Sequence, residues 1–268
     1  MLVLRPGALG DTLLAVPALR ALRRRCGPLR LAAHGGAARL LAALGEVEQG
    51  LAFDDPSLAW LFASGNPPDE AIVAWMNRPE TVALRHALLV APSRPPGEQH
   101  CAEYLLATLA PLGVDAHLDA RPLRVEPMAS DEVLVHPGSG SAIKNWPAPK
   151  FAATIRALDR PVRLIVGEAD TQAAEDLEAR LGGALPCLKH VPLEELAARL
   201  AGCHAYLGND SGVSHLAGLS GARSVVLFGP TSPQVWRPLG PNVHVVAFDT
   251  SAADVARLLM NDINDLSS

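Results

Sequence analysis

The chain has 268 residues, a length that suits one large domain or two smaller ones, and its 49% hydrophobic against 19% charged residues supplies a core and argues against a disordered chain. A net charge of −5 argues against a nucleic-acid binder that works by bulk electrostatics. Four scattered cysteines (Cys26, Cys101, Cys187, Cys203) lack any CxxC spacing, which argues against a zinc or redox pair, and no apolar run reaches the roughly 18–20 residues of a membrane span. A reducing compartment fits that cysteine usage, and the opening Leu2-Val3-Leu4 carries no basic leader, so the expected location is cytoplasmic.

In chain order, Leu2 to Leu4 reads as a strand, Leu13 to Arg25 as a helix that bends or begins at Pro17, and Leu29 to Ala33 as a second strand. Ala37 to Leu44 is helical in pattern, Ala71 to Ala74 and Ala87 to Val90 are strand candidates, and Ala102 to Leu112 is a helix. Arg121 to Pro127, with two prolines and several charges, is the linker candidate. Beyond it, Val133 to His136, Val162 to Val166, His204 to Leu207, Ser224 to Phe228 and Val243 to Phe248 read as strands. They alternate with helical stretches at Pro149 to Leu158, Thr171 to Leu181, Pro192 to Ala201, Gly212 to Leu219 and Ala252 to Met260. Such alternation predicts an α/β protein with doubly wound parallel sheets. Two Rossmann-like domains facing a central cleft follow, over residues 1–125 and 126–268, with ligand at the carboxyl ends of the strands.

Four loops fall at such strand ends. In RPGALGDTLL, residues 5–14, Gly7 and Gly10 permit a tight turn and Asp11 falls at a helix start, where it reads either as a cap or as a general base. In HPGSGSAIKNWP, residues 136–147, Ser139 and Ser141 stand among glycines in a donor-rich turn and Lys144 adds a positive charge. That is an anion-binding arrangement, or else a solvated surface turn. It lacks GxxxxGK[ST], and Ile143 stands where GxGxxG needs its third glycine, so neither an ATPase loop nor an NAD fingerprint is present. In VGEAD, residues 166–170, Glu168 can accept both hydroxyls of a ribose or simply begin the next helix.

The fourth loop, GNDSGVSHLAG at 208–218, holds the residue types of a hydrolytic triad in Asp210, Ser211 and His215. The acid is covalently next to the serine and no G-x-S-x-G elbow surrounds it, which disfavours a triad. A helix start that presents amides, a hydroxyl and an imidazole suits a phosphate better.

Together these loops resemble glycosyltransferase family 9, the heptosyltransferase family of lipopolysaccharide core synthesis. The resemblance is carried by RPGALGDTLLAVPALRAL, VHPGSGSAIKNWPAPKFA and NDSGVSHLAGLSGARSVVLFGPTSPQVWRPLG, three motifs in the family's order. It implies the GT-B fold and an inverting, metal-independent transfer of heptose or a related sugar. The implied donor is an ADP-activated sugar, and the implied acceptor a cell-surface glycan or lipopolysaccharide-type molecule. By position Asp11 matches the family's base, Lys144 its phosphate-contacting lysine and Glu168 the acid on the donor ribose. Asp210, Ser211, Gly212 and His215 match the diphosphate- and sugar-binding helix start, with Ser141 a further donor-site candidate. The resemblance makes the first half the acceptor side and the second half the donor side. No cofactor besides the donor substrate is implied, and no Asp-x-Asp motif calls for a metal.

Because the first half is short, a non-catalytic nucleotide-sugar binding protein with a degenerate acceptor site is the alternative. Arg20, Arg23 and Arg24, near Arg25 and Arg30, form a basic cluster. It reads as a solvated helix end, or else as a contact with a phosphorylated acceptor or, peripherally, with the inner face of the cytoplasmic membrane. Trp146 and Trp236 either line the cleft or pack beneath loops.

Overall fold

The computed structural model describes residues 1–62, 68–76 and 84–260 and divides the chain into two compact units, Met1–Ala120 and Arg121–Ser268. The first unit runs β1 (Leu2–Leu4), α1 (Leu9–Leu13), α2 (Val16–Cys26), β2 (Arg30–Ala33), α3 (Gly35–Ala43), β3 (Gln49–Ala52), β4 (Ile72–Trp75), β5 (Leu89–Ala91) and α4 (Cys101–Ala107). Its strands are all parallel, in the order β3-β2-β1-β4-β5. Leu2, Leu4, Ala32, Leu51, Ile72 and Ala74 from four of these strands share one buried cluster with Leu58 and Leu61.

The helix expected from Leu13 to Arg25 is two helices. The chain turns at Leu14 and Ala15, and Pro17 falls in the first turn of α2, where its missing N–H has no intrahelical acceptor to lose. The helix expected to reach Leu112 stops at Ala107, and a 3-10 turn over Ala110–Leu112 carries Pro111 instead. Arg20 also departs from the reading of a solvated helix end. It is buried, its guanidinium held by Glu46 at 2.6 Å and by Asp119 at 3.3 Å, while Arg23, Arg24 and Arg25 are exposed.

The second unit runs β6 (Val133–His136), α5 (Ala148–Ala157), β7 (Val162–Val166), α6 (Thr171–Leu181), β8 (Cys187–Lys189), α7 (Leu193–Gly202), β9 (Ala205–Asn209), α8 (Gly212–Leu219), β10 (Ser224–Phe228), α9 (Pro233–Trp236), β11 (Val243–Ala247) and α10 (Ala252–Met260). The sheet is wholly parallel in the order β11-β10-β9-β6-β7-β8. Central strands of a parallel sheet are buried on both faces and read as continuous apolar runs, which is why SVVLF of β10 is buried throughout. Trp146 lies in the core beneath its loop, with Nε1 donating to the Phe248 carbonyl at 2.9 Å and the ring edge-on to Phe151 at 5.3 Å.

In chain order the strands of this sheet follow the doubly wound arrangement, with β6 and β9 as its central neighbours. From β6 the chain winds outward to β7 and β8, and from β9 it winds the other way to β10 and β11. The loops that leave the tops of β6 and β9 therefore part from each other, and the crevice they leave is where such sheets bind ligands.

Candidate functional site

Two constellations of polar side chains stand out, one within each unit. In the second unit, the loops after β6, β7 and β9 are tied together by a buried chain of polar groups. His136, the last residue of β6, places Nε2 2.9 Å from Asp170 Oδ2 and Nδ1 3.2 Å from Ser211 Oγ. Asp170 Oδ2 also accepts the Gly167 amide at 2.9 Å. A carboxylate acting as acceptor fixes the imidazole proton on Nε2, so in the neutral ring Nδ1 accepts from the Ser211 hydroxyl. Burial pushes the Asp170 carboxyl up, but the hydrogen bond and charge of His136 and the Gly167 amide outweigh it and hold the group below its ordinary value. Room for this acid comes from Gly138, where an added Cβ would stand 1.9 Å from Asp170 Oδ1.

Ser211 caps α8 by accepting the Ser214 amide. Ser214 in turn donates to the Asn209 carbonyl and meets the Tyr206 hydroxyl at 2.9 Å. With Ser211 fixed from both sides, helix geometry leaves the Gly212 and Val213 amides at the open first turn without intrahelical acceptors. Their partial positive charge points out of the helix start.

Lys144 completes this constellation. Its Nζ lies 2.9 Å from Asp210 Oδ2, and Thr231 Oγ1 donates to the same oxygen at 2.7 Å. The Lys144 side chain is 32% exposed and that of Asp210 only 7%, so the cation is reachable while the acid behind it is not. Asn209 holds the 137–146 loop in place: its Nδ2 donates to the Pro137 carbonyl at 2.8 Å and its Oδ1 accepts the Trp146 amide at 2.8 Å. An ammonium and two open amides thus converge at the start of α8, which Ser211 caps, an arrangement that stabilises a multiply charged anion.

Of the residues singled out in the sequence, Lys144, Asp210, Ser211 and Gly212 come together here, and His215 is buried one turn into α8. Ser141 and Glu168 are exposed on the loops after β6 and β7 and take no part in the polar chain. His136, Asp170, Asn209 and Thr231 were not legible as site residues. The one signal for His136 is a polar residue that ends an otherwise apolar strand, VLVH.

In the first unit Asp11 sits at the start of α1. Its Oδ2 accepts the Ala8 amide at 3.0 Å and its Oδ1 lies 3.4 Å from Arg5 Nη2. The Asp11 side chain is 19% exposed and that of Arg5 only 1%, so a fixed carboxylate faces outward from a buried guanidinium. Burial lowers the Arg5 pKa, opposed by the charge of Asp11. Cys101 lies beside the same guanidinium, and burial pushes its thiol up to about 11. Gly7 has φ 143°, and a Cβ there would stand 2.8 Å from Asp11 Oδ2, so only glycine leaves the carboxylate where it is. The cap and base readings of Asp11 are therefore compatible: Oδ2 serves the helix and the side chain still reaches solvent.

Among the described residues no group of three or more His, Cys, Asp or Glu side chains is arranged to hold a metal ion, and no helix is long and apolar enough to cross a membrane.

Comparison with known proteins adds a lineage to this geometry. The family model for glycosyltransferase family 9 (heptosyltransferase) matches residues 100–259. Among solved structures, the chain is similar to a glycosyl transferase family 9 protein from Veillonella parvula (TM-score 0.75, 18% identity, covering 93% of this chain and 87% of that one). It is similar to E. coli heptosyltransferase WaaC, solved with ADP (TM-score 0.74, 17% identity, 96% and 98% covered). A third likeness is to E. coli ADP-heptose lps heptosyltransferase II (TM-score 0.73, 18% identity, 96% of both chains covered). No curated protein matches.

Proposed function

The chain belongs to glycosyltransferase family 9, the heptosyltransferase family, and from that premise we propose that it transfers heptose or a related sugar, with inversion, from an ADP-activated donor to a cell-surface glycan or lipopolysaccharide-type acceptor. Its two parallel sheets with their helices are those of the GT-B structures it resembles. The observation that carries the reading is the convergence of Lys144 with the Gly212 and Val213 amides at the start of α8, which Ser211 caps.

In this reading the second unit binds the donor and the first the acceptor. The acceptor oxygen bonds to the anomeric carbon as the bond from that carbon to the diphosphate oxygen breaks. The hydroxyl proton goes to Asp11, whose carboxylate is held by Arg5 and the Ala8 amide. ADP leaves with the bonding electron pair, and its added negative charge is stabilised by Lys144 and the helix-start amides. Attack opposite the departing diphosphate inverts the anomeric centre. Glu168 and Ser141, exposed on the loops after β7 and β6, are assigned to the donor ribose and phosphates, and His215 to the diphosphate or the sugar. Lys144 supplies the cation at the diphosphate, so the reaction is assigned no metal. Exposed Arg23, Arg24 and Arg25 on α2 support a peripheral contact with an anionic inner membrane surface.

The test is turnover of ADP-heptose by the wild type and by Asp11→Asn, each with and without EDTA. A general base contributes about 10²–10⁴-fold, so kcat should fall by that order in the variant, with EDTA leaving the wild type unchanged. Unchanged turnover in Asp11→Asn would sink the base assignment. A wild type stabilised by ADP yet inert toward every acceptor supplied would favour a nucleotide-sugar binding protein instead.

A further inference from the structure

A hollow of about 340 Å³ lies over the carboxyl ends of β1, β2 and β3, wholly within the first unit. Its lining includes Gly7, His34, Gly35, Phe53, Asp54 and Phe62. The volume is at the lower end of the roughly 300–1,000 Å³ typical of small-molecule sites, which suits one or two sugar rings rather than a long chain. Gly7 is the residue that abuts Asp11, so one wall of the hollow adjoins the carboxylate assigned as base.

Its lining sets an aromatic face beside a carboxylate. Phe62 is 70% exposed and meets Phe53 edge to face, with ring centroids 6.0 Å apart and an interplanar angle of 87°. An edge-on neighbour holds the Phe62 ring in place while leaving it open. The aromatic face is electron-rich, so it attracts the weakly positive C–H groups on the apolar side of a pyranose. Asp54 is exposed in the same lining, and an ionised carboxylate only accepts, so it matches sugar hydroxyls and repels a second anion. His34 caps α3 by accepting the Ala37 amide at Nδ1, which leaves Nε2 as its remaining polar atom. Arg39 comes close to Gly35 but is not part of the lining.

We propose that this hollow binds an uncharged sugar ring of the acceptor, stacked on Phe62 with its hydroxyls on Asp54, so that the residue receiving the transferred sugar is neutral rather than a sugar acid or sugar phosphate. Calling that sugar an acceptor rests on the glycosyltransferase reading above; the saccharide site itself rests on the hollow.

The test is saturation-transfer NMR on the whole chain with the methyl glycosides of glucose, galactose and mannose as neutral probes and methyl glucuronide as the matched acid. At least one neutral glycoside should receive saturation at its ring C–H protons and the glucuronide none. That signal should disappear in Phe62→Ala and fall several-fold in Asp54→Asn. Both side chains are exposed, so an unchanged Tm in each variant checks that the fold is retained. The proposal is overturned if no neutral glycoside is saturated, if the signal survives Phe62→Ala, or if the glucuronide binds as well as the glucoside. ADP-heptose turnover in the same samples separates the two ideas. Phe62-dependent glycoside binding without turnover toward any acceptor supplied leaves this site standing and favours the nucleotide-sugar binding protein, whereas turnover without such binding keeps the transferase reading and removes this site.

Discussion

His136 Nε2 stands 2.9 Å from Asp170 Oδ2, so the end of β6 is pinned to the turn that follows β7. Through the other ring nitrogen the same histidine reaches Ser211 at the start of α8. One imidazole thus sets the register of three loops that leave different strands. Lys144 and the open amides of α8 keep their positions only while that register holds.

Asp170→Asn removes the charge that fixes the His136 tautomer. Asp170 is mostly buried and its hydrogen bonds are charge-assisted, so the expected loss of stability is about 1–3 kcal/mol near neutral pH. The sign follows from the depressed carboxyl. Its contribution is fully present above the ordinary value of 3.8 and is lost as the pH falls through the lower folded value. Urea unfolding at several pH values should therefore show the difference between wild type and variant shrinking below about pH 4. A constant difference across that range would remove the electrostatic explanation.

The glycines of the 137–146 loop give a paired prediction. Gly138→Ala drives a Cβ to 1.9 Å from Asp170 Oδ1, whereas Gly140 has nothing within 4 Å of its added Cβ. Gly138→Ala should cost about 1–3 kcal/mol or more and abolish the thermal shift given by ADP. Gly140→Ala should change stability by less than about 0.5 kcal/mol, as a surface substitution does. Equal effects of the two substitutions would mean that the loop is not braced against Asp170.

These examples show what sequence could and could not reveal. The central strands β1, β6, β9 and β10 were legible because burial on both faces demands unbroken apolar runs. Strands β3 and β8 had no such signal. Both are sheet edges of three or four residues, QGLA and CLK, and they are strands only because a neighbour pairs with them. Lys144 and Asp210 were each legible as site residues, but their contact joins positions 66 residues apart and exists only once β6 and β9 are neighbours. Asp170 was hidden for a related reason. In sequence it resembles any acid at a helix start, and its partner His136 is 34 residues away.

Lys144→Ala tests the assignment of the donor cation. Asp210 is only 7% exposed, so loss of its cation should cost about 1–3 kcal/mol, while Thr231 still donates to the carboxylate and the fold is kept. Affinity for ADP, read by calorimetry, should fall at least about tenfold because a charge-assisted contact to phosphate is lost. Binding to the wild type should also weaken with added salt more steeply than binding to the variant. Identical salt dependence in the two proteins would place Lys144 away from the diphosphate.

Gly7→Ala asks whether the two constellations act on different substrates. The φ of 143° disfavours any side chain, and the added Cβ would stand 2.8 Å from Asp11 Oδ2, the oxygen that accepts the Ala8 amide. Asp11 must then leave its cap, while Arg5 keeps only a 3.4 Å contact to the other oxygen. Backbone strain of this kind costs about 1–3 kcal/mol, so the variant should be less stable as well as slower. The kcat for transfer from ADP-heptose should drop at least about tenfold, a barrier increase of roughly 1.4 kcal/mol. ADP should still stabilise the variant by the same amount as the wild type, because Lys144 and the start of α8 belong to the other unit. Loss of the ADP shift together with kcat would show that the first unit also shapes the donor site, and the division of labour between Asp11 and Lys144 would have to be abandoned.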